Sequence, residues 1–197
     1  MTAAVVLAAG GSTRMGRPKP LLHYDGRSLL HRTVDAAMRG GCAPVIVVLG
    51  AAAETLRPEL AGLPVEIAIN EGWAEGLAGS IRTGVETLLP RRADVDAVLL
   101  LPCDLPHISA RLVRELLAAA GGAGAAPIVA CTYAGTAGVP ALFHRRWFDE
   151  LCELRGDCGA KPLLLAHAES LVRVPWPEGA LDVDEPADHE KRGGPSD

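Results

Sequence analysis

The chain has 197 residues, of which 49% are hydrophobic and 22% are charged, and its formal net charge is −5 at pH 7. This length and composition are typical of one globular domain with a substantial buried core, and they exclude a largely disordered chain. The acidic balance argues against nucleic acid as the main partner.

Cysteine usage and hydropathy indicate the compartment. The five cysteines include no CxxC pair, which is typical of a reducing compartment and favours neither a disulfide framework nor a zinc site. No apolar run approaches the roughly 18 residues that a membrane-spanning helix needs, and no basic segment precedes the first run. We therefore expect a cytoplasmic protein without a membrane partner.

Short β-branched runs alternate with longer segments whose apolar residues recur at helical spacing. The predicted strands are Ala4–Ala8, Val45–Leu49, Val65–Ile69, Val98–Leu101 and Ile128–Tyr133. The predicted helices are Ser28–Met38, Glu54–Leu60, Ser80–Leu89 and Ser109–Ala119, with Ser28 and Ser109 as N-caps. This alternation predicts an α/β fold in which a mostly parallel, doubly wound sheet carries helices on both faces.

The order of elements changes after residue 134. A stretch containing glycine and proline leads into the aromatic segment Ala141–Leu154, and a Gly-Asp-x-Gly turn precedes a predicted helix at Lys161–His167. A short strand at Leu171–Val174 and an acidic turn at Asp182–Asp188 follow. We predict a single domain at residues 1–192, with a first part at 1–134, a second part at 135–192, and a frayed tail at 193–197.

A loop rich in glycine and basic residues follows the first predicted strand; residues 7–22 are LAAGGSTRMGRPKPLL. The loop lacks the dinucleotide fingerprint, because Thr13 stands where the second glycine belongs. It also lacks the Walker A pattern, because Arg17-Pro18 replace the required Lys-Ser/Thr. Both of the familiar phosphate-loop interpretations are therefore excluded.

The same loop still has the chemistry of an anion site. Backbone N–H groups of residues 10–13 can hold an anion, and Arg14 and Lys19 add positive charge at the carboxyl end of a strand, where open α/β sheets bind ligands. Pro18 and Pro20 disfavour helix before them, so we expect the loop to remain extended past Lys19. The alternative is a simple turn with solvated basic side chains.

Residues 7–22 resemble the signature loop of the MobA-like nucleotidyltransferases, LAAG-x-S-x-R-M-G-x-x-K-x-L-L, and most of all that of the molybdenum cofactor cytidylyltransferases. Four further stretches match in order: NEGWAEG at 70–76 running on to Ser80, LPCDLP at 101–106, GDCGAK at 156–161 and DVDEPAD at 182–188. The resemblance implies a three-layer αβα sandwich of the Rossmann-like nucleotide-diphospho-sugar transferase fold. It also assigns the nucleotide to the first part of the chain and the acceptor to the second.

The resemblance implies nucleotidyl transfer, in which the terminal phosphate of an acceptor attacks the α-phosphorus of a nucleoside triphosphate and pyrophosphate leaves. In the cytidylyltransferases the donor is CTP and the acceptor is molybdopterin carrying molybdenum. Guanylyltransferase relatives usually have LAGG where residues 7–10 of this chain are LAAG, so the second alanine favours cytosine. The family further implies a magnesium ion, Mg²⁺, and allows a transient contact with molybdoenzyme maturation factors.

The family's functional residues carry over to matching positions of this chain. The nucleotide would contact Leu7, Ala8, Ala9, Gly10, Gly11, Ser12, Thr13, Arg14, Lys19, Asn70, Gly76, Ser80 and Asp104. The catalytic residues among them would be Arg14, Lys19 and Asp104. The acceptor would contact Asp157, Gly159 and Lys161, and the metal ion would bind Asp104, Asp184 and Asp182.

Several of these residues have a structural alternative. Asp104 also suits the turn before Pro106, and Ser80 also suits a helix N-cap. Asp184 could cap a helix that starts near Pro186. At the level of function, the same chemistry could use GTP or act on a sugar phosphate or phosphorylated alcohol. A different class, a non-catalytic nucleotide or cofactor carrier or a redox protein on the same fold, also stays open.

Overall fold

The described chain forms a central seven-stranded sheet and a separate sheet of two short strands. In this computed structural model the described residues are 1–11, 18–91, 93–122, 124 and 127–181. The strands are β1 (Thr2–Ala8), β2 (His23–Tyr24), β3 (Arg27–Ser28), β4 (Val45–Leu49), β5 (Glu66–Ile69), β6 (Ala97–Pro102), β7 (Ile128–Tyr133), β8 (Thr136–His144) and β9 (Val172–Pro175). The α-helices are α1 (Leu29–Gly40), α2 (Ala53–Leu56), α3 (Leu77–Leu88), α4 (Ala110–Gly122), α5 (Phe148–Glu153) and α6 (Lys161–Ala166). None of the described helices has the length and apolar character of a membrane-spanning segment.

The strand order of the main sheet is β5-β4-β1-β6-β8-β7-β9. Strand β1 pairs in parallel with β4 and β6, β4 with β5, and β7 with β9, whereas β8 is antiparallel to both of its neighbours. The predicted mostly parallel, doubly wound sheet is therefore confirmed. Because β4 lies on one side of β1 and β6 on the other, the winding reverses beside β1, which is where such sheets bind ligands.

Both faces of the sheet are covered by helices, as β1 illustrates. Alternate residues of a strand point to opposite faces. Ala4 and Val6 pack in the cluster that contains residues of α1 and α4. Val5 and Leu7 pack in the cluster that contains residues of α3, α5 and α6. The result is a three-layer αβα sandwich.

Capping serines and a proline determine where several helices begin or end. Ser28 Oγ accepts a hydrogen bond from the His31 N–H (3.2 Å) at the start of α1, and Ser109 Oγ accepts one from the Leu112 N–H (3.3 Å) beside α4, so both predicted caps are confirmed. The predicted helix at 54–60 is instead α2 followed by a 3-10 turn, Arg57–Leu60. Pro58 lacks the N–H that would continue the α-helix.

Two boundaries differ from the predictions for physical reasons. Helix α3 begins at Leu77, so Ser80 lies inside the helix and the N-cap alternative for Ser80 is wrong. Strand β8 was not predicted, since its glycine and proline residues obscure the strand pattern. Pro140 is tolerated because the register shifts between Ala130 and Cys131 of β7, and proline fits such irregularities.

Candidate active site

A cleft of about 470 Å³ opens at the carboxyl ends of β1 and β6. Its walls come from segments that are distant in sequence: residues 7–11, 19–20, 73–77, 80, 102–104 and 157. The cleft therefore lies at the reversal point of the sheet and joins four of the five stretches that carry the family resemblance. The fifth stretch, with the predicted metal ligands Asp182 and Asp184, falls outside the described residues.

The end of β1 and the residues after it form the floor of the cleft. Leu7, Ala8 and Ala9 are buried, whereas Gly10 and Gly11 are exposed. A Cβ atom on Gly11 would lie 2.9 Å from the Trp73 ring, so glycine is what allows the indole to pack over this loop. Trp73 is 39% exposed and forms part of the cleft wall. The predicted nucleotide contacts Ser12, Thr13 and Arg14 lie outside the described residues.

Lys19 lines the cleft from a 3-10 turn near the end of the signature loop. Pro18 is extended (φ −60°, ψ 125°), but Lys19–Leu21 forms a 3-10 turn in which the Leu22 N–H donates to the Lys19 carbonyl (2.9 Å). The expectation that the loop stays extended past Lys19 is therefore wrong. Pro20 sits in the first turn of this helix, where its missing N–H leaves no hydrogen bond unmade.

Asp104 follows β6 and contributes a half-buried carboxylate to the cleft. Burial raises the pKa of the neighbouring Cys103 thiol, and the negative charge of Asp104 raises this pKa further. Cys103 is therefore a neutral thiol beside the carboxylate. Within the described ranges no three His, Cys, Asp or Glu side chains are grouped to hold a metal ion. A carboxylate such as that of Asp104 is the kind of group that could hold Mg²⁺, because this ion takes one or two carboxylates together with phosphate oxygens.

Asn70 and Ser80 form one unit beside the cleft. Asn70 follows β5, and its backbone N–H donates to the Leu49 carbonyl at the end of β4 (2.8 Å). Its side-chain Nδ2 donates to Ser80 Oγ (3.1 Å), and both side chains are buried. Ser80 lines the cleft, whereas the predicted nucleotide contact Asn70 does not.

The loop at 156–157 caps the N-terminus of α3. The Leu77 N–H donates to Asp157 Oδ1 (3.1 Å), and the Ala78 N–H donates to the Gly156 carbonyl (3.1 Å). Gly76 has φ +109°, and a Cβ atom there would lie 2.7 Å from the Gly156 oxygen. Asp157 and Gly76 therefore both line the cleft and both lie where the loop at 156–157 packs against the start of α3.

The remaining predicted acceptor residues lie further from the cleft. Gly159 has φ +57°, and a Cβ atom on it would lie 2.9 Å from Leu77 Cδ2. Lys161 is the exposed first residue of α6 and does not line the cleft. Sequence reasoning missed Glu75, which lines the cleft and pairs with Arg82 Nη2 (3.1 Å). Only its place within the NEGWAEG stretch could have drawn attention to it.

An exposed glycine loop and a lysine at a sheet's reversal point, with a carboxylate at the neighbouring strand end, place this chain among the α/β proteins whose ligand cleft is suited to phosphate groups. The family model for the MobA-like NTP transferase domain matches residues 4–171. The chain therefore belongs to the MobA-like NTP transferase family.

Comparisons with individual proteins agree with this family. The crystal structure of Rv0371c from Mycobacterium tuberculosis superposes with a TM-score of 0.80 at 31% identity and covers 96% of both chains. A manganese complex of the same protein superposes with a TM-score of 0.77 at 29% identity, over 97% of both chains. That relative therefore binds a divalent metal ion in its crystal structure.

Two curated relatives match over 114 residues each. Nicotine blue oxidoreductase of Paenarthrobacter nicotinovorans is 34% identical, over 57% of this chain and 54% of the relative. The molybdenum cofactor guanylyltransferase of Xanthomonas euvesicatoria pv. vesicatoria is 37% identical, over 58% of this chain and 52% of the relative. The matched part of the chain thus spans about half the length of these relatives.

Proposed function

We propose that the protein transfers a cytidylyl group from CTP to the phosphate of molybdenum cofactor (molybdopterin), with release of pyrophosphate. The observation that carries this proposal is the shared cleft of Lys19 and Asp104 at the carboxyl ends of neighbouring parallel strands. A cation and a carboxylate on one cleft suit a triphosphate, because the lysine attracts its oxygens and the carboxylate can hold a divalent ion against them.

The chain's own residues contribute mainly position and charge. Lys19, together with Arg14, would bind the β- and γ-phosphates and stabilise the negative charge that accumulates on the departing pyrophosphate. Asp104 would hold Mg²⁺, which supplies Lewis-acid polarisation of a phosphoryl oxygen when bound. A general base is not required, because the attacking acceptor phosphate is already ionised. Asp157, Gly159 and Lys161 remain the proposed acceptor side, with Asp157 nearest to the cleft.

The proposed acceptor, molybdopterin, and the proposed donor, CTP, are supported by different observations. The acceptor is favoured by the relative named as a molybdenum cofactor guanylyltransferase, which is 37% identical over the matched residues. The cytosine preference depends on Ala9, where guanylyltransferases usually have glycine. Because the named relative is a guanylyltransferase, GTP is the leading competing donor.

The decisive experiment is a donor and acceptor panel. The purified chain is incubated with Mg²⁺, molybdopterin and one of CTP, GTP, ATP or UTP, and pyrophosphate release is followed. Release that is fastest with CTP supports the proposal, whereas a preference for GTP or ATP overturns the cytidylyl assignment. Release with a sugar phosphate or phosphorylated alcohol but not with molybdopterin overturns the acceptor assignment.

A second candidate function is a redox reaction on the same fold. It is favoured by the similarity to nicotine blue oxidoreductase, 34% over 114 residues. The absence of the dinucleotide fingerprint in residues 7–22 counts against it. Bleaching of nicotine blue in the presence of a reduced nicotinamide dinucleotide, without pyrophosphate release from any triphosphate, would favour this candidate over nucleotidyl transfer.

A further inference from the structure

A second cavity, of about 460 Å³, lies beside α1 and the start of α4. It shares no lining residue with the cleft described above, although the segment after β6 contributes to both: Asp104 lines the cleft, whereas Ile108 and Ser109 line the second cavity. Its charged lining residues are Arg27, Arg32, Arg39, Arg111, Asp25 and Asp35. We call this cavity the arginine groove.

The fold gathers the arginines of the groove from three separate elements. Arg32, Asp35 and Arg39 recur at spacings of three and four residues, so they share one face of α1. Arg27 comes from β3 and Arg111 from α4. The chain as a whole has a formal net charge of −5. A groove in which arginines outnumber aspartates is therefore a local region of positive potential on an acidic protein.

The carboxylates of the groove occupy only part of its hydrogen-bonding capacity. Asp25 contacts Arg32 and Asp35 contacts Arg39, each through one atom pair at 3.4 Å. The exposed Arg27 guanidinium has no hydrogen-bond or ion-pair partner among the residues that the structure describes. Because a guanidinium group carries several N–H donors and no acceptor, the groove retains donors for an anion.

We propose that the arginine groove is a second ligand site, which binds a doubly charged phosphate group. Guanidinium groups bind phosphate oxygens in bidentate fashion. A phosphate dianion concentrates its charge in the space of one carboxylate, so it can replace the weak contacts that Asp25 and Asp35 make. An acidic peptide would instead spread single charges past the same two aspartates. The site does not depend on the proposed function, because none of its residues lines the cleft.

Titration calorimetry with inorganic phosphate tests the site. It is carried out in the Lys19→Ala variant of the full chain, which removes the described lysine of the cleft, and phosphate binding should persist there. Adding Arg27→Ala or Arg39→Ala should weaken phosphate binding by about threefold or more, the size expected for one exposed charge pair. No phosphate binding by Lys19→Ala, or unchanged binding after both arginine substitutions, would overturn the proposal.

Two further variants distinguish a ligand site from a general effect of charge. Asp35→Asn removes the carboxylate that contacts Arg39, so it should tighten phosphate binding, a direction that damage to the fold would not produce. Arg57→Ala is the matched control, since Arg57 is exposed and lines neither the cleft nor the groove. Weaker binding in Asp35→Asn would overturn the proposal, as would equal losses in Arg57→Ala and the groove variants.

Chemical modification of arginine locates the bound phosphate. Phenylglyoxal labelling of the wild-type chain, followed by peptide mass spectrometry, should show that phosphate protects Arg27 and Arg39 but not Arg57. Equal protection of all three arginines, or protection of none, would overturn the proposal.

The choice of anion identifies the source of the phosphate group. Competition by glycerol phosphate would indicate a phosphate ester, whereas binding of inorganic phosphate alone would indicate the free ion, and both results support a phosphate site. Binding of a polyaspartate peptide in the groove, with no binding of either phosphate probe, would overturn the proposal in favour of an acidic protein partner. The donor panel described above tests the proposed function separately, and its failure would leave the groove titrations unchanged.

Discussion

The Asp157 carboxylate accepts a hydrogen bond from the Leu77 N–H across 80 positions of sequence, with a distance of 3.1 Å between Oδ1 and the nitrogen. Helix α3 thus receives its N-terminal cap from the second part of the chain rather than from the residue before it. Because α3 also carries Ser80, this contact connects the proposed acceptor side to a predicted nucleotide contact that lines the cleft.

Asp157→Ala should destabilise the protein by about 1 kcal/mol, the usual cost of losing a side-chain cap. The nucleotide KM should rise, because the first turn of α3 frays beside Ser80. Urea denaturation and pyrophosphate-release kinetics measure the two effects. Asp157→Asn keeps an oxygen that can accept from the Leu77 N–H, so it should retain most of the stability. An alanine variant as stable as wild type would contradict the capping role.

Gly76→Ala should destabilise the protein by about 2 kcal/mol or more, because a left-handed backbone and a close contact both oppose the side chain. The new Cβ atom would lie 2.7 Å from the Gly156 oxygen and 2.8 Å from Asp157 Cα. Gly62→Ala is the matched control, since Gly62 has φ +77° but nothing lies within 4 Å of its Cβ position. Chemical denaturation gives the loss of unfolding free energy for each variant, and the excess loss of Gly76→Ala over Gly62→Ala reports the close contact with residues 156–157. Equal losses would show that the packing of the 156–157 loop does not require glycine at position 76.

Six of the seven strands of the central sheet could be predicted from the sequence, because they are recognisable from local composition alone. Strand β4, for example, is an uninterrupted apolar run that is buried throughout, as expected for a strand covered on both faces. Strand β8 could not be predicted in this way, since Gly138 and Pro140 disfavour strand unless a particular partner accommodates them. That partner is β7, whose register shifts opposite the proline.

The candidate site was only partly predictable, for a related reason. Lys19 and Asp104 stand next to recognisable elements, so their arrival in one cleft follows from parallel topology. The start of α3 could not be read locally, because its cap comes from Asp157 rather than from Ser80. The relation between Asn70 and Ser80 likewise depends on how α3 packs beside β5, which no local pattern specifies.

Lys19→Ala and Asp104→Ala should each lower turnover by about a hundredfold or more while leaving the fold intact, because each removes a charge at the reacting phosphates. Steady-state pyrophosphate release measures the loss, and circular dichroism confirms the fold. Arg27→Ala is the matched control, since it removes an exposed positive charge from β3 outside the cleft lining. Near-wild-type turnover in both cleft variants would overturn the assigned roles.

Arg32 on α1 connects the segment after Lys19 to the loop after Asp104. Its Nη1 donates to the Tyr24 carbonyl (3.3 Å) and its Nη2 to the Pro106 carbonyl (3.4 Å), and its guanidinium carbon lies 5.0 Å from the centre of the Tyr24 ring. Arg32→Ala should therefore cost about 1–3 kcal/mol of unfolding free energy. It should also lower kcat, because the loops that carry Lys19 and Asp104 lose their connection.

Arg39→Ala is the control for the loss of an arginine from the same helix. The Arg39 side chain is 72% exposed, and among the carboxylates that the structure describes it pairs only with Asp35, at 3.4 Å. Removing it should therefore lower the free energy of unfolding by less than about 1 kcal/mol. Denaturant titrations and initial rates of the two variants should be compared under identical conditions. An Arg32 variant that behaves like the Arg39 variant in both assays would rule out the connecting role.

The buried cysteines predict a loss of stability at alkaline pH. Burial raises the pKa of Cys42 to about 12, and burial followed by the negative charge of Glu115 raises the pKa of Cys131 to about 12, both from 9.0. Between pH 9 and pH 12 these thiols ionise in the unfolded chain but remain protonated in the folded protein. The unfolded state then binds fewer protons, so the free energy of unfolding falls as pH rises through this window.

Cys42→Ala isolates the contribution of one thiol. The variant starts from a lower stability because it leaves a small cavity, but its free energy of unfolding should fall less steeply above pH 9, by up to about 1.4 kcal/mol per pH unit. Urea denaturation at intervals from about pH 8 to pH 11 gives both slopes. Identical slopes in wild type and variant would mean that Cys42 does not resist ionisation in the folded protein. Thiol labelling at pH 8 provides an independent check, since the exposed Cys158 should react well before the buried Cys42, Cys103 and Cys131.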